Sequence, residues 1–443
     1  MSKFLMFVLL SFSLMSFQSR VIDFNKLQKR GGIYYEENST EGYTGTSKEY
    51  YKNGQVMQEL NFKNGKEDGA AKAYDESGKL LVETSYKEGQ VSGAYKSYFK
   101  NGKIEKDVFF KENKEEGVGK YYYPNGQLAK VVNFKNGKLE GGAKSYYENG
   151  VIEMETTQKE GKEHGISTVY YDTGVIKAVI SFKEGIQDGL TKEYAIDGTF
   201  ERETHWKNGE RDGIAKSYYP SGQLKQEANY KEGKEVGLAK DYSENGNVTG
   251  SIDFGDNTGV ITAKFYYANK QLEKELLWKD GRKNGPAKYY YNNGKLKASK
   301  NYKNDDLEGN VKEYYENGAI KEEGTYVNGV AVGLSKYYLE DGQLYKEIHW
   351  KDGKQDGLTK SYYGIGGVEK EANYKNGKQE GIAKDYYVNG KVEREMTYVN
   401  DKLNGVMTMY YDNGKVKAIK NYKEGKEDGK ASYFDENGKK EVR

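Results

Sequence analysis

Apolar and polar positions recur with one fixed period along almost the whole chain, the spacing that separates Gly54 from Gly78. An aromatic residue such as Tyr50 lies four positions before Gly54, and an aliphatic residue, Val56, lies two positions after it. A second aromatic residue, Phe62, follows eight positions after the glycine, and only Gln158 interrupts that row. Short apolar alternations between closely spaced glycines are typical of strands, because a helix needs an apolar stripe every three to four residues. Each period therefore predicts a hairpin of two short antiparallel strands.

Three series of glycines share this period. The first begins at Gly54 and is broken only by Lys270, and its usual Asn-Gly dipeptide favours a two-residue type I′ turn. The second begins at Gly65, and its replacements predict a turn with positive φ and room for a side chain. Those replacements are Asn113, Asn257, Asp305 and Asp401. The third begins at Gly45, is broken only by Ile261 and never accepts Asn or Asp, which predicts close approach of another backbone.

The hairpin register can be tested within the chain. With the Asn-Gly dipeptide as the turn, Tyr51 faces Val56 and Lys48 faces Glu59. The Lys–acid match recurs at Lys72–Glu83, Lys96–Asp107, Lys144–Glu155, Lys192–Glu203, Lys216–Glu227, Lys264–Glu275, Lys312–Glu323, Lys336–Glu347, Lys360–Glu371 and Lys384–Glu395. Such pairs stabilise a sheet by about 0.2–1 kcal/mol each. The register predicts one face with the second Tyr, the aliphatic residue and the strand-end aromatic residue, and an opposite face with the first Tyr and the Lys–acid pairs.

These patterns predict an all-β fold, an elongated, twisted single-sheet array of about 16–17 tandem 24-residue β-hairpin repeats. The repeats cover residues 45–441 and are irregular at 247–270, where Ile261 and Lys270 depart from the pattern. Residues 20–44 contain Tyr34 and Tyr35 out of phase and are predicted to be a degenerate N-terminal capping segment.

The first residues have a different composition. Lys3 precedes an apolar run from Phe4 to Phe17, which is short for a membrane span. Residues 1–19 are therefore predicted to be a signal peptide, with a buried N-terminal element as the alternative. The expected location is the periplasm, the cell envelope or the exterior. The chain has 0 Cys, which excludes disulfides, thiol catalysis, Cys-ligated zinc and a lipidated N-terminus.

Composition narrows the function classes further. Lys and Arg number 70 against 68 Asp and Glu, a balance that argues against nucleic acid as a partner. The mean hydropathy of −0.98 argues against membrane insertion. Lys interleaved with 43 Tyr would suit stacking on single-stranded nucleic acid, but most of these lysines have acidic partners.

A search for catalytic or ligand-binding motifs finds little. Phe254 lies in an Asp-Phe-Gly triplet but is a strand-end aromatic residue in phase with the repeat, and no other kinase motif accompanies it. His205 and His349 are one repeat position used twice, and His164 is a turn residue. Asp435 begins a weak calcium-like motif that lacks the later ligands. We therefore predict no catalytic residues, no cofactor site and no metal site.

The spacing from Tyr86 to Gly93, with Tyr-Tyr-x-Asn-Gly-Lys-Leu elsewhere in the unit, resembles the bacterial variant of the MORN repeat. Proteins with this resemblance are often labelled antitoxin components of toxin–antitoxin systems, and others are labelled phosphatidylinositol-4-phosphate 5-kinase because plant kinases carry MORN repeats beside a kinase domain. We expect an exported, non-enzymatic repeat protein whose sheet binds a protein partner. The alternatives are an envelope or extracellular glycan-binding protein and an antitoxin-type inhibitor.

Overall fold

The computed structural model describes residues 20–255 and 259–441. The predicted signal peptide and Asn257 lie outside the described residues. The described part of the chain consists of β-strands joined by turns, with one 3₁₀ helix at Phe24–Lys26. The predicted all-β fold of tandem hairpin repeats is confirmed.

The chain divides into two compact units, residues 1–212 and 213–443, with the boundary inside strand β22. The strands that begin in the first unit are β1 Val21–Asp23, β2 Leu27–Arg30, β3 Ile33–Glu36, β4 Gly45–Tyr50, β5 Val56–Lys63, β6 Lys66–Tyr74, β7 Leu80–Lys87, β8 Gln90–Val91, β9 Gly93–Tyr98, β10 Ile104–Lys111, β11 Lys114–Tyr122, β12 Leu128–Lys135, β13 Lys138–Leu139, β14 Gly141–Tyr146, β15 Ile152–Lys159, β16 Lys162–Glu163, β17 Gly165–Tyr170, β18 Ile176–Lys183, β19 Ile186–Gln187, β20 Gly189–Tyr194, β21 Phe200–Lys207 and β22 Glu210–Tyr218.

The strands of the second unit continue the same alternation. They are β23 Leu224–Lys231, β24 Lys234–Tyr242, β25 Val248–Asp253, β26 Val260–Tyr266, β27 Leu272–Lys279, β28 Arg282–Tyr290, β29 Leu296–Lys303, β30 Asp306–Leu307, β31 Gly309–Tyr314, β32 Ile320–Val327, β33 Val330–Tyr338, β34 Leu344–Lys351, β35 Lys354–Gln355, β36 Gly357–Tyr362, β37 Val368–Lys375, β38 Lys378–Tyr386, β39 Val392–Val399, β40 Lys402–Leu403, β41 Gly405–Tyr410, β42 Val416–Lys423, β43 Lys426–Glu427, β44 Ser432–Phe434 and β45 Lys440–Glu441.

The turn at the first glycine series differs from the predicted type. The Gly54 N–H donates to the Tyr51 carbonyl, and the Tyr51 N–H donates to the Gln55 carbonyl. Gly54 has φ 85°, whereas Asn53 does not have positive φ, so the turn is type I followed by a left-handed glycine. The predicted two-residue type I′ turn is therefore wrong at this position. Asn is retained because its side chain accepts from the Gln55 N–H at 3.0 Å and donates to the Glu76 carbonyl of the next repeat at 2.8 Å.

The predicted register of the strand pair is correct away from this turn and wrong in the residues next to it. Lys48 faces Glu59 as predicted, but Tyr50, not Tyr51, faces Val56. An extra residue at Met57 forms a one-residue bulge, which restores the predicted register further along the hairpin. The aliphatic residue therefore lies on the face of the first Tyr, opposite to the predicted face. The same shift recurs in the later hairpins, for example between Glu193 and Tyr194, whose ring lies 5.3 Å from that of Phe200.

The type I′ geometry belongs to the second glycine series. Asn64 and Gly65 have φ 52° and 78°, and the equivalent dipeptides of other repeats have the same pair of positive values. The predicted room for a side chain is confirmed at Asn113, where φ is 63° and Oδ1 accepts from the Val91 N–H at 2.7 Å. Asp305 and Asp401 reach back to the preceding repeat in the same way.

The third glycine series lies in a second, wider bulge. Leu60 faces Ala71 and Phe62 faces Glu67, so the segment 68–70 lies opposite Asn61 alone. The Asn61 side chain donates to the Ala70 carbonyl at 2.7 Å and satisfies a backbone acceptor that the ladder leaves unpaired.

The glycines of the third series all have positive φ. The values run from 62° at Gly237 to 149° at Gly45, and the larger ones exclude even Asn and Asp. The predicted close approach of another backbone holds at Gly45, where a Cβ would lie 2.5 Å from the Arg20 carbonyl oxygen. It is wrong at Gly189, where the near atom, at 2.9 Å, is the Ser181 side-chain Cβ, and at Gly165, where a Cβ would meet nothing within 4 Å.

The most buried positions are two facing rows of mostly small side chains. One row consists of Ser47, Ala71, Ala143, Ser167, Thr191, Ala239, Ala263, Ala287, Val311, Ser335, Ala383 and Met407, and the other of Val108, Val132, Thr156, Thr204, Ala228, Leu276, Ile348 and Met396. The strand-end aromatic rings cover these rows, so a Cβ on Gly119 would lie 2.8 Å from Phe134. We call the face with the strand-end aromatic residues the aromatic face. The face with Lys48, Glu59 and their equivalents is the ladder face.

Residues 20–44 lie against the first repeat. Strand β1 adds to β4 in parallel, with Ile22 opposite Ser47, while β2 and β3 form a separate hairpin. Tyr34 of that hairpin packs edge-on against Phe62, with ring centroids 5.0 Å apart. This segment therefore pairs with the first strand of the array and covers its first aromatic residue.

Candidate interaction surface

The lysine and glutamate rows form close cross-strand ion pairs on the ladder face. The register places every predicted pair opposite each other. Among the described residues, at least seven of these pairs approach within 4 Å. They are Lys48–Glu59, Lys144–Glu155, Lys264–Glu275, Lys312–Glu323, Lys336–Glu347, Lys360–Glu371 and Lys384–Glu395. The predicted rungs therefore form in both units.

Most of the glutamates lie between two lysines rather than beside one, except Glu155 and Glu395, which face a threonine on the second side. Glu227 faces Lys216 of its own hairpin and Lys240 of the next hairpin. Lys240 has a serine and not an acid opposite it in its own hairpin, yet its Nζ lies 3.4 Å from Glu227 Oε1. The pairs are thus steps of a Lys–Glu ladder that connects neighbouring hairpins within the unit.

A tyrosine hydroxyl completes several of the steps. The first Tyr of the next hairpin donates to the glutamate 15 residues earlier, at 2.6 Å for Tyr242 and Glu227 and 2.8 Å for Tyr338 and Glu323. Equivalent bonds join Tyr98 to Glu83, Tyr170 to Glu155, Tyr362 to Glu347 and Tyr386 to Glu371. Sequence reasoning missed this bond, although the constant spacing between Tyr and Glu could have indicated it.

The tyrosine bonds shift the protonation equilibria on this face. Burial, followed by the hydrogen bond to Glu323, raises the pKa of Tyr338 to about 12. The reciprocal hydrogen bond from Tyr338 lowers the pKa of Glu323. The ladder therefore remains a fixed array of ammonium, carboxylate and neutral phenol groups near neutral pH.

An exposed aliphatic row follows the ladder on the same face. Its members occupy the position directly after the third-series glycine, and three of them are 63% exposed at Ile166, 49% at Ile382 and 50% at Val406. In the second unit, Leu334, Leu358, Ile382 and Val406 occupy this position in four successive repeats. The period was visible in the sequence, but only the register shows that these side chains share the ladder face.

Shallow grooves recur between the aliphatic row and the ladder. One of about 180 Å³ lies beside Lys72 and Glu83, and one of about 230 Å³ lies beside Lys312 and Glu323. A larger one of about 400 Å³ lies in the irregular repeat, beside Lys240. The ladder face thus combines fixed charges, exposed apolar side chains and concave surface.

On the opposite side, many aromatic rings are already covered by cations. Arg211 lies over Trp206 and Lys283 over Trp278, each 6.0 Å from the ring centroid. Five of the second-Tyr rings are covered by the lysine six positions later, at Tyr171, Tyr219, Tyr291, Tyr315 and Tyr411, whereas glutamate stands at that position after Tyr147, Tyr267, Tyr363 and Tyr387. Their hydroxyls donate to the backbone of the next repeat, for example from Tyr411 to the Phe434 carbonyl at 2.9 Å. These rings therefore hold consecutive repeats together.

The residues examined for catalysis occupy structural positions. His349 Nδ1 contacts the Leu358 carbonyl at 2.7 Å in the wide bulge, where Asn61 lies in the first repeat. Asp435 accepts from the Lys439 N–H at 2.8 Å within a hairpin turn. Within the described ranges, no group of three or more metal-binding side chains comes together, and no helix has the length and apolarity to cross a membrane.

The irregular repeat has lost its wide bulge. Asp253 faces Thr262 directly, so the ladder of β25 and β26 is regular there. Ile261 lies in this regular pairing and faces Trp278 on the other side. The glycine is absent because the bulge that requires it is absent. Lys270, by contrast, adopts the left-handed conformation of its missing glycine, with φ 70°.

Solved structures of toxin complexes are similar to this chain at low sequence identity and with very low TM-scores. A crystal structure of TcdB2-TccC3-Cdc42 matches 88% of this chain and 24% of its own, with 12% identity and a TM-score of 0.16. A structure of a mutant of the Photorhabdus luminescens Tc holotoxin pore matches 89% of this chain and 23% of its own, with 11% identity and a TM-score of 0.15. The chain thus spans about a quarter of the length of these chains. No curated protein matches the sequence.

The model of the MORN repeat variant matches thirteen segments, which together cover more than half of the chain. They are 43–64, 67–88, 92–112, 115–136, 139–160, 163–184, 211–232, 260–280, 283–304, 307–328, 331–352, 379–400 and 403–424. Each segment contains a strand pair joined by a turn of the first glycine series. The chain belongs to the MORN repeat variant family.

Proposed function

We propose that this is an exported, non-enzymatic repeat protein whose ladder face binds a protein partner. The observation that carries the proposal is the exposed aliphatic row, which runs beside a fixed ladder of paired charges. Exposed apolar side chains rimmed by polar groups are typical of protein interaction sites. The tandem repeat architecture supports the proposal, because such arrays present extended binding surfaces. Export rests on the predicted signal peptide at residues 1–19.

The glycan and antitoxin alternatives have no comparable support. Glycan binding needs exposed aromatic ring faces, but cations lie over Trp206, Trp278 and five of the second-Tyr rings. An antitoxin-type inhibitor would act in the cytoplasm, in conflict with the predicted export signal.

Site-specific photo-crosslinking tests the proposal in cells of the source organism. A benzophenone amino acid replaces Ile382 on the aliphatic row, and a control replaces Glu340, an exposed residue at a turn tip. We expect one discrete protein adduct from the Ile382 position and none from the Glu340 position. Equal adduct patterns at the two positions, or no protein adduct at either, would refute a partner on the ladder face.

Fractionation with N-terminal sequencing tests export separately. The mature protein is expected in an exported fraction, with its N-terminus near residue 19 or 20. An intact Met1 in the cytoplasmic fraction would refute export without bearing on the partner.

A further inference from the structure

Five steps of the ladder lack a carboxylate, at Val131, Val179, Ser251, Ser299 and Ile419, and the step at Ser251 is the one that shares a groove with Lys270. Ser251 stands where Glu227 stands one repeat earlier, and it faces Lys240 on one side and Lys264 on the other. Tyr266 lies 15 residues after Ser251, the same offset at which Tyr242 donates to Glu227. The lysines and the tyrosine of a complete step are all present, while the acid is missing.

The two lysines beside Ser251 contact other acids of the chain. Lys240 Nζ lies 3.4 Å from Glu227, and Lys264 Nζ lies 3.3 Å from Glu275. Among the described residues, the Tyr266 hydroxyl has no hydrogen-bond acceptor, unlike six other first-Tyr residues. An additional anion here would gain a phenol donor and two nearby ammonium groups.

The missing side chain coincides with the largest of the ladder-face grooves described above. The groove of about 400 Å³ is lined by Lys240, Ser251, Tyr266 and Lys270 together with Leu238 and Val248. Lys270 adds a cation where every other repeat has glycine, and its left-handed φ of 70° is unfavourable for a side chain. The repeat therefore departs from the pattern twice, and both departures make this groove more basic than its equivalents.

We propose that the vacant step binds a carboxylate from an acidic side chain of the protein partner, which completes the ladder in trans. This inference rests on the proposed function and assigns the site of contact. A carboxylate fits because Glu227 occupies the equivalent position one repeat away and accepts from both a lysine and a tyrosine. The aliphatic part of the partner side chain would contact Leu238 and Val248.

The experiment measures a signal from Tyr266, the proposed hydrogen-bond donor. The full-length mature protein carries 3-fluorotyrosine at position 266, and its ¹⁹F resonance is followed during titration with a blocked Gly-Glu-Gly peptide. We expect a saturable shift with this peptide and none with Gly-Gln-Gly. Fluorotyrosine at position 242 is the matched control, because that hydroxyl already donates to Glu227 and should not respond.

Three variants test whether the peptide carboxylate binds at the vacant step itself. Ser251→Glu should move the Tyr266 resonance to the bound position without peptide, and Lys270→Gly should weaken binding about two- to fivefold. Ser299→Glu fills the same row two repeats later and should leave binding at position 266 unchanged.

No shift, an equal shift with Gly-Gln-Gly, or peptide binding retained in Ser251→Glu would overturn the proposal. A response to inorganic phosphate alone would also overturn it, in favour of a small-anion site. If Ile382 crosslinks a partner while Tyr266 does not respond, the protein-partner proposal stands and the vacant-step proposal fails.

Discussion

Replacing glycine with alanine at two equivalent positions separates backbone strain from side-chain crowding. Gly165 and Gly189 occupy the same position in successive repeats of the first unit, with φ of 87° and 109°. The residue before each donates to the facing strand, at 2.8 Å from His164 and 2.9 Å from Asp188. The two sites differ in what a Cβ would meet: nothing within 4 Å at Gly165, and the Ser181 Cβ at 2.9 Å at Gly189.

The expected costs follow from these differences. At Gly165, left-handed backbone costs alanine about 1–2 kcal/mol, offset by about 0.4–1 kcal/mol from the smaller entropy of the unfolded chain, which leaves roughly 1 kcal/mol. At Gly189, φ lies outside the left-handed well, and relieving the short contact adds overpacking strain. These two effects cost about 1–3 kcal/mol each, so we expect a loss of roughly 3 kcal/mol or more.

Hydrogen exchange with mass spectrometry is the suitable assay, because repeat arrays open locally and one global unfolding free energy is not well defined. Peptides spanning 157–170 and 181–194 report local opening at the two sites. We expect faster exchange in the second peptide of Gly189→Ala than in the first peptide of Gly165→Ala. Equal losses of protection would refute the reasoning, because they would show that the Ser181 contact contributes nothing.

Three further predictions concern other parts of the repeat. Gly89→Asn should change local stability by no more than about 0.5 kcal/mol in exchange experiments, because the new amide can repeat the bond that Asn113 makes; a clearly larger loss would contradict this. Asn413→Ala removes bonds of 2.8 and 3.1 Å and should cost roughly 1–2 kcal/mol at the turn between β41 and β42, whereas unchanged exchange there would show that the cross-repeat bond is unimportant. The native pKa of about 12 at Tyr338 exceeds the unfolded value near 10, so its contribution to stability is complete below pH 10 and is lost as pH rises toward 12. The urea midpoint should fall across that range, and Glu323→Gln should lower the Tyr338 pKa and weaken the fall; an identical pH profile in the variant would refute the role of the bond.

The sequence was sufficient for the repeat, the strand pairing and most of the ladder, because a buried or paired position leaves a residue preference once in every repeat. It was misleading at Asn53, because an Asn-Gly dipeptide suits a type I turn with a left-handed glycine as well as a type I′ turn. The bulge at Met57 hid the error, since it restores the register at Lys48 and Glu59.

The candidate site was less visible than the fold. The sequence gives no sign that Val56 shares a face with Tyr50, since one extra residue reverses the alternation of a strand. The vacant step at Ser251 could have been found as a missing acid, but its significance depends on Tyr266, and only the three-dimensional structure places Tyr266 in the same groove. Ile261 likewise became interpretable only when the wide bulge was found to be absent.

The position of most acids between two lysines also determines how the array can change in length. One partner lysine precedes the acid and the other follows it, as with Lys216, Glu227 and Lys240, and the two lysines are separated by one repeat. Removing or duplicating one repeat length, wherever the cut falls, joins two partial repeats into a whole one and keeps the lysine and acid positions in phase. A cut that is not a whole number of repeats leaves one step out of phase. Recombination between misaligned repeats would therefore lengthen or shorten the protein without a junction that has to be repaired.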